Sequence, residues 1–276
     1  MDRTTPPEAT PPEATPRAGW PIAVRARGLG LDGPRGPVFG GVDLLVPAGS
    51  LLAVPGPAGA GRTSLLLTLA GRMLPDRGEA EVAGHPLPRA RNAVQQQVAL
   101  AVVHGVNDLD GALTVEEHLL ERLALTSPWW RLLTPSTTEV PVALATVDQH
   151  GRPALDRDAL VRDLEPYDRF RLGIALALAD RDRRHPRVLV ADDVDELRDP
   201  HHVACAWRLL VGLAGSDPAH VPGGLTVVAS CTSAETLPSA VRTSGRVVLH
   251  HLAPPGPGGW PQARTATPEP TEEATR

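Results

Sequence analysis

The amino-acid sequence predicts an α/β fold built on a mainly parallel sheet, from two features of its pattern. Short apolar runs at residues 51–55, 98–103, 188–191 and 226–230 alternate with helix-like stretches at 63–73, 115–125, 167–179 and 203–213, and strands that alternate with helices pair in parallel beneath those helices. A glycine-rich turn joins the first of these strands directly to the first of these helices. A chain of 276 residues, 42% hydrophobic, is long enough to bury one sizeable core of this kind.

From the N-terminus, residues 1–19 repeat a Pro-Pro-Glu-Ala-Thr unit, and residues 253–276 again consist mostly of Pro, Gly, Thr and Glu. Neither stretch can bury enough apolar surface to offset chain entropy, so both are expected to be disordered tails around one domain at residues 20–252. Within that domain the segment from Val115 to Asp163 breaks the strand–helix rhythm and carries Trp129-Trp130 and several prolines. It reads as part of a helical insertion covering about residues 115–180. The tryptophan pair is read as packing inside the insertion in preference to a docking groove.

A net charge of -5 and a pI near 6.1 provide no basic field, which argues against nucleic acid as a partner. All 27 basic residues are arginine, the signature of strong compositional pressure, so an arginine at a lysine position is read with that bias in mind. Cys205 and Cys231 lie far apart and form no Cys-x-x-Cys pair, which suggests neither a disulfide framework nor a zinc site and fits a reducing cytoplasm. No stretch reaches the roughly 18 apolar residues of a membrane span, so any membrane role needs a partner protein.

The run Gly56-Pro57-Ala58-Gly59-Ala60-Gly61-Arg62-Thr63-Ser64 follows an apolar strand and opens a helical pattern. That context is what a phosphate-binding loop requires. Glycines permit tight turns that aim backbone N–H groups at phosphate oxygens, and the helix N-terminus adds a favourable dipole. The match to GxxxxGK[ST] fails only at Arg62, and Thr63 would supply a hydroxyl for Mg²⁺.

From here the chain resembles the ATP-binding cassette (ABC) ATPase family, over about residues 22–250. Ala48-Gly49-Ser50-Leu51-Leu52-Ala53 leads into the loop, and Leu69-Ala70-Gly71 and Gly78-Glu79-Ala80-Glu81-Val82-Ala83-Gly84 follow it, as in that family. Leu113-Thr114-Val115-Glu116-Glu117-His118-Leu119 is similar to the family's LTVEENL. Arg171–Ala179 looks like the helix behind its signature motif, and Val188-Leu189-Val190-Ala191-Asp192-Asp193 like its Walker B strand. The resemblance implies a P-loop NTPase fold of ABC type, Asp192 in the Mg²⁺ shell and Asp193 at the catalytic position.

The departures from the family are as informative. Arg62 keeps the positive charge but replaces a compact ammonium with a wide planar fork. Asp193 is one methylene shorter than the family's glutamate. The switch histidine aligns with Cys231 and the LSGGQ signature with Leu164-Glu165-Pro166-Tyr167-Asp168; the Q-loop glutamine aligns with Gly105 in Val103-His104-Gly105-Val106-Asn107, so its amide is absent unless His104 or Asn107 substitutes. Glu165 brings negative charge towards phosphate and Pro166 has no N–H to donate. No ring stands near Leu31-Asp32-Gly33 to stack on adenine.

The resemblance, taken with these departures, implies an ATP-binding subunit of an ABC-type membrane transporter with ATP and Mg²⁺ as cofactors and with weak or absent hydrolysis. It is expected at the cytoplasmic face of the cell membrane, with an integral membrane transporter subunit and a second cassette, the same or different, as partners. The alternative is an inactive nucleotide-binding scaffold or regulator of a membrane protein. A small-molecule kinase fits less well, because it would carry a substrate lid where this chain has a signature-like helix.

Overall fold

The computed structural model of the chain describes residues 21–103, 105–126, 139–148, 153–179, 186–216 and 224–254. The two expected tails, Trp129-Trp130 and His104 lie outside the described residues, save Ala253 and Pro254 at the start of the second tail.

Two sheets organise the domain. An antiparallel sheet runs in the order β2 (Gly36–Pro47), β1 (Ile22–Gly33), β4 (Arg77–Val82) and β5 (His85–Leu87). A parallel sheet runs β6 (Val98–Val102), β7 (Val188–Ala191), β8 (Thr226–Cys231), β3 (Leu51–Pro55) and β9 (Val247–Leu249). β3, β6, β7 and β8 are the apolar runs of the sequence, because a strand covered on both faces has no solvent side to fill with polar residues, while the edge strand β9 is part-exposed. Alternate residues feed two cores: Leu51, Ala53, Leu189 and Ala191 enter one, and Leu52, Val54, Val188 and Val190 enter the other.

The helices are α1 (Arg62–Leu69), α2 (Arg91–Gln97), α3 (Val115–Leu125), α4 (Val140–Ala145), α5 (Pro166–Leu178), α6 (Pro200–Leu213) and α7 (Ser239–Arg242). Each long helix starts where its sequence allows. Thr114 and Glu117 form a reciprocal capping box at α3, Thr114 Oγ1 accepting from Glu117 N and Glu117 Oε2 accepting from Thr114 N. Those bonds to Thr114 hold the Glu117 carboxyl below its ordinary range. Asp199 caps α6 by accepting from His201 N at 2.7 Å and His202 N at 3.2 Å, with Pro200 at the first helical position.

Between α3 and α5 the described chain carries the short helix α4, a single 3-10 turn at Val161–Asp163 and irregular chain at 153–160, and it rests on an arginine. Arg171 of α5 is 1% exposed and reaches Asp148 at 2.8 Å, Asp168 at 3.0 Å, and the carbonyls of Pro153 and Val147 at 3.1 and 3.3 Å. Three of these partners belong to the stretch after α4, so one buried guanidinium pins that stretch to the helix. Among the described residues no helix is long and apolar enough to cross a membrane.

Candidate functional site

The site lies at the carboxyl edge of the parallel sheet, where β3, β8 and β7 are adjacent and run the same way. Parallel strands bring their following loops to one edge, the usual place for a ligand in such sheets. Pro55 stands opposite Cys231, and Gly56 N donates to Cys231 O at 3.0 Å as the glycine-rich loop begins. A side chain at Gly56 would stand 2.5 Å from the carbonyl oxygen of Leu252, and one at Gly61 would stand 2.6 Å from that of Val38. Gly61 also has φ 86°, so only glycine turns the loop into α1 here. The first-turn N–H groups of α1, directly after the loop, have no partner within their own helix.

The loop, Asp192 and Asp193 lie together at this edge. Thr63 Oγ1 donates to Asp192 Oδ2 at 2.5 Å, joining helix α1 to the end of β7. The other Asp192 oxygen accepts from Ser230 Oγ, and the same Ser230 Oγ accepts from Asp193 N at 2.8 Å. Ser230 is fully buried and Asp192 is 5% exposed. Arg62 is folded into the loop, donating through Nη1 to Gly56 O and pairing through Nη2 with Asp193 Oδ1 at 2.6 Å. Asp193 has left-handed backbone angles, φ 46° and ψ 54°. Burial, and after it the neighbouring Asp192 carboxylate, push the Asp193 carboxyl above its ordinary range, while Arg62 pulls the other way. Thr63 and Asp192 form a hard-oxygen pair of the kind Mg²⁺ takes, and the donors of the loop and α1 suit phosphate.

Other sequence-derived positions take different parts. Cys231 is fully buried, its Sγ donates to Ser233 O, and burial pushes its thiol up to about 11. The exposed residue at that strand end is Thr232, whose N–H and hydroxyl both donate to Asp195. Gly105 has φ 72° in a turn that Asn107 closes: Asn107 Nδ2 donates to Leu100 O and Ala101 O, and its Oδ1 accepts from Val103 N. With its amide committed to the end of β6, Asn107 is not a substitute for the glutamine. Glu165 and Pro166 open α5 with no side-chain cap. Glu165 stands 3.6 Å from His202, whose ring stacks on buried Tyr167. Pro166 lines a cavity of about 500 Å³ together with Asn107, Phe170, Asp192 and Asp193.

Sequence reasoning missed Ser230, Arg171 and Thr232. Ser230 is a small polar residue ending an apolar strand, a signal that could have been read as a bridge between the two neighbouring loops.

A family model described as ABC transporter matches residues 39–195, more than half of the chain. The Nod factor export ATP-binding protein I of Rhizobium meliloti (strain 1021) is 32% identical over 178 residues, 64% of this chain and 49% of that protein. The cytochrome c biogenesis ATP-binding export protein CcmA of Cupriavidus pinatubonensis is 34% identical over 148 residues, 50% of this chain and 65% of that protein. The chain thus spans about half to two thirds of the length of these relatives. Among solved structures, a dimeric bacterial ABC transporter cassette superposes with a TM-score of 0.61 at 17% identity, covering 83% of this chain and 94% of that one. A subunit of an ABC transporter complex from Clostridium perfringens gives 0.58 at 18%, covering 77% and 79%. The loop, the Thr63–Asp192 pair and the sheet order share one explanation with these matches, and the chain belongs to the ABC transporter family of ATP-binding proteins.

Proposed function

We propose that this chain is the ATP-binding subunit of an ABC-type membrane transporter, binding Mg-ATP at Gly56–Ser64 with Asp192 and hydrolysing it weakly or not at all. The observation that carries the reading is the contact of Thr63 Oγ1 with Asp192 Oδ2 at 2.5 Å beside a loop that has no room for a side chain at Gly56 or Gly61. Mg²⁺ bound there would neutralise phosphate charge. The chain's own residues do the rest: loop and α1 N–H groups hold the phosphates, Thr63 and Asp192 offer oxygens to the metal, Ser230 fixes Asp192, and Asp193 would orient water.

Weak turnover follows from the same residues. Asp193 is one methylene shorter than the family's glutamate, neither buried Cys231 nor the exposed Thr232 beside it, which donates to Asp195, offers an imidazole at the end of β8, and Pro166 has no N–H for a facing subunit's phosphate. Ordinary hydrolysis needs those groups to act as one unit.

A cytoplasmic location, peripheral at the membrane through an integral membrane subunit, follows as part of this proposal, as does pairing with a second cassette. The relatives named for export support the transporter assignment by analogy. The second reading, an inactive nucleotide-binding scaffold, is favoured by Glu165 and Pro166 at the start of α5. Calorimetry with Mg-ATP and Mg-ADP, beside phosphate release from the purified protein, separates the two. Binding at about micromolar to millimolar concentration with little release is expected. Absence of binding at millimolar nucleotide refutes the proposal.

A further inference from the structure

Two departures from the family pattern touch each other. Arg62 stands where a lysine is expected and Asp193 where a glutamate is expected, and their side chains, 9% and 23% exposed, meet at 2.6 Å. The arginine is longer and ends in a fork; the aspartate is one methylene shorter. The added reach on one side meets the lost reach on the other. The fork's second arm is held by Gly56 O at the first residue of the loop, so one guanidinium ties the loop after β3 to the loop after β7.

The backbone favours the shorter acid as well. Asp193 lies in the left-handed region, at φ 46°, which aspartate and asparagine enter more readily than longer side chains. Its N–H is fixed by Ser230 at 2.8 Å. A residue held at both ends, by Ser230 on the main chain and Arg62 on the carboxylate, has little freedom to turn towards a water. The same contact occupies the donors a phosphate would use, because the guanidinium offers its N–H groups in a rigid fork suited equally to carboxylate and phosphate.

We infer that Arg62 and Asp193 are a mutually adapted latch across the phosphate seat, which an incoming phosphate group opens by drawing the Arg62 fork away from Asp193. The inference rests on the reading that this loop binds nucleotide phosphate. Arg62 is then a positioning residue for Asp193: the carboxylate is restrained while the seat is empty and released when it is filled. Two substitutions that look like independent losses in the sequence are one exchange of partners in the structure.

The test is ADP titration by calorimetry together with melting of the nucleotide-free protein. Asp193→Asn keeps the backbone preference and removes the competing carboxylate, so ADP should bind about tenfold tighter while the empty protein melts lower. Glu196→Gln removes an equal charge from a nearby acid that bears on Asp193, and should change ADP affinity by less than about twofold, as for a screened charge. Asp193→Asn binding ADP no better than wild type overturns the latch, as does equal tightening by Glu196→Gln. Melting of Arg62→Lys, Asp193→Glu and the double variant gives a second measurement, in which the double variant should lose less than the sum of the singles. Strict additivity overturns the pairing; if Arg62→Lys does not fold, the Asp193 titrations decide. A wild-type protein that binds no ADP at millimolar concentration refutes the nucleotide reading, and the melting cycle still judges the Arg62–Asp193 contact.

Discussion

Replacing Arg171 by methionine removes the charge that holds the stretch after α4 while keeping most of the side-chain volume. The guanidinium is 1% exposed, but its carboxylate partners Asp148 and Asp168 are 37% and 26% exposed and can regain water. Breaking a buried ion pair typically costs about 3–5 kcal/mol, and the accessible partners place this one near the lower end, about 3 kcal/mol. For a domain of this size each kcal/mol lowers Tm by about 2–4 °C, so a fall of about 6–12 °C is expected in scanning calorimetry. Hydrogen exchange should locate the loss at residues 140–148 and 153–164, whose carbonyls and Asp148 the arginine holds. Arg157→Met is the comparison, since Arg157 pairs with Glu116 at 2.6 Å but is 37% exposed, and such a pair is worth about 1 kcal/mol or less. Equal shifts for the two variants, or a fall under about 2 °C for Arg171→Met with unchanged exchange, would refute the pinning role.

Three further outcomes are expected. Thr63→Ala should weaken Mg-ADP binding about tenfold, by loss of one oxygen beside Asp192, and leave metal-free ADP binding nearly unchanged; equal losses in parallel titrations would place Thr63 outside the metal shell. Cys231, its thiol pushed up to about 11 by burial, has about one thiolate in a thousand at pH 8. Iodoacetamide should leave it unlabelled in the native protein by mass spectrometry, and labelling as fast as in denaturant would contradict its buried position. Arg62→Lys and Asp193→Glu combined with Glu165→Ser and Pro166→Gly should raise phosphate release far more than the product of the separate changes; brisk release from the wild type, or full recovery from Asp193→Glu alone, would show that these positions do not limit turnover.

Much of this fold is legible in the amino-acid sequence. The four apolar runs correspond to β3, β6, β7 and β8 to within a residue, because strands buried on both faces write themselves as unbroken apolar stretches. The loop was legible for a similar reason: its glycines are where a Cβ would collide or the backbone turns left-handed. The 12-residue strands β1 and β2 carry no plain strand signal in their sequence. They are half-buried, broken by glycine, and change register three or more times along their pairing, so no clean alternation survives in their sequence. Arg171 was equally hidden, since a helical arginine ordinarily faces solvent and its partners lie some 20 residues away in an irregular stretch. Cys231, the residue aligned with the switch histidine, is a further case. The cysteine faces inwards opposite Pro55, and the neighbouring Thr232 has the exposed place.

The adjacency of β7, β8 and β3 has a mechanical corollary. The spacing of Thr63, Asp192 and Ser230 is set by how many residues each strand contributes before its loop begins, with Ala191 level with Ala229 and Pro55 level with Cys231. Adding or deleting one residue in any of these strands would shift its loop by about 3.3 Å and reverse the faces of everything beyond. Exchanging a side chain in the loops leaves that spacing untouched. A site laid out this way tolerates changes of residue type and not changes of chain length, so its shape can outlast its chemistry.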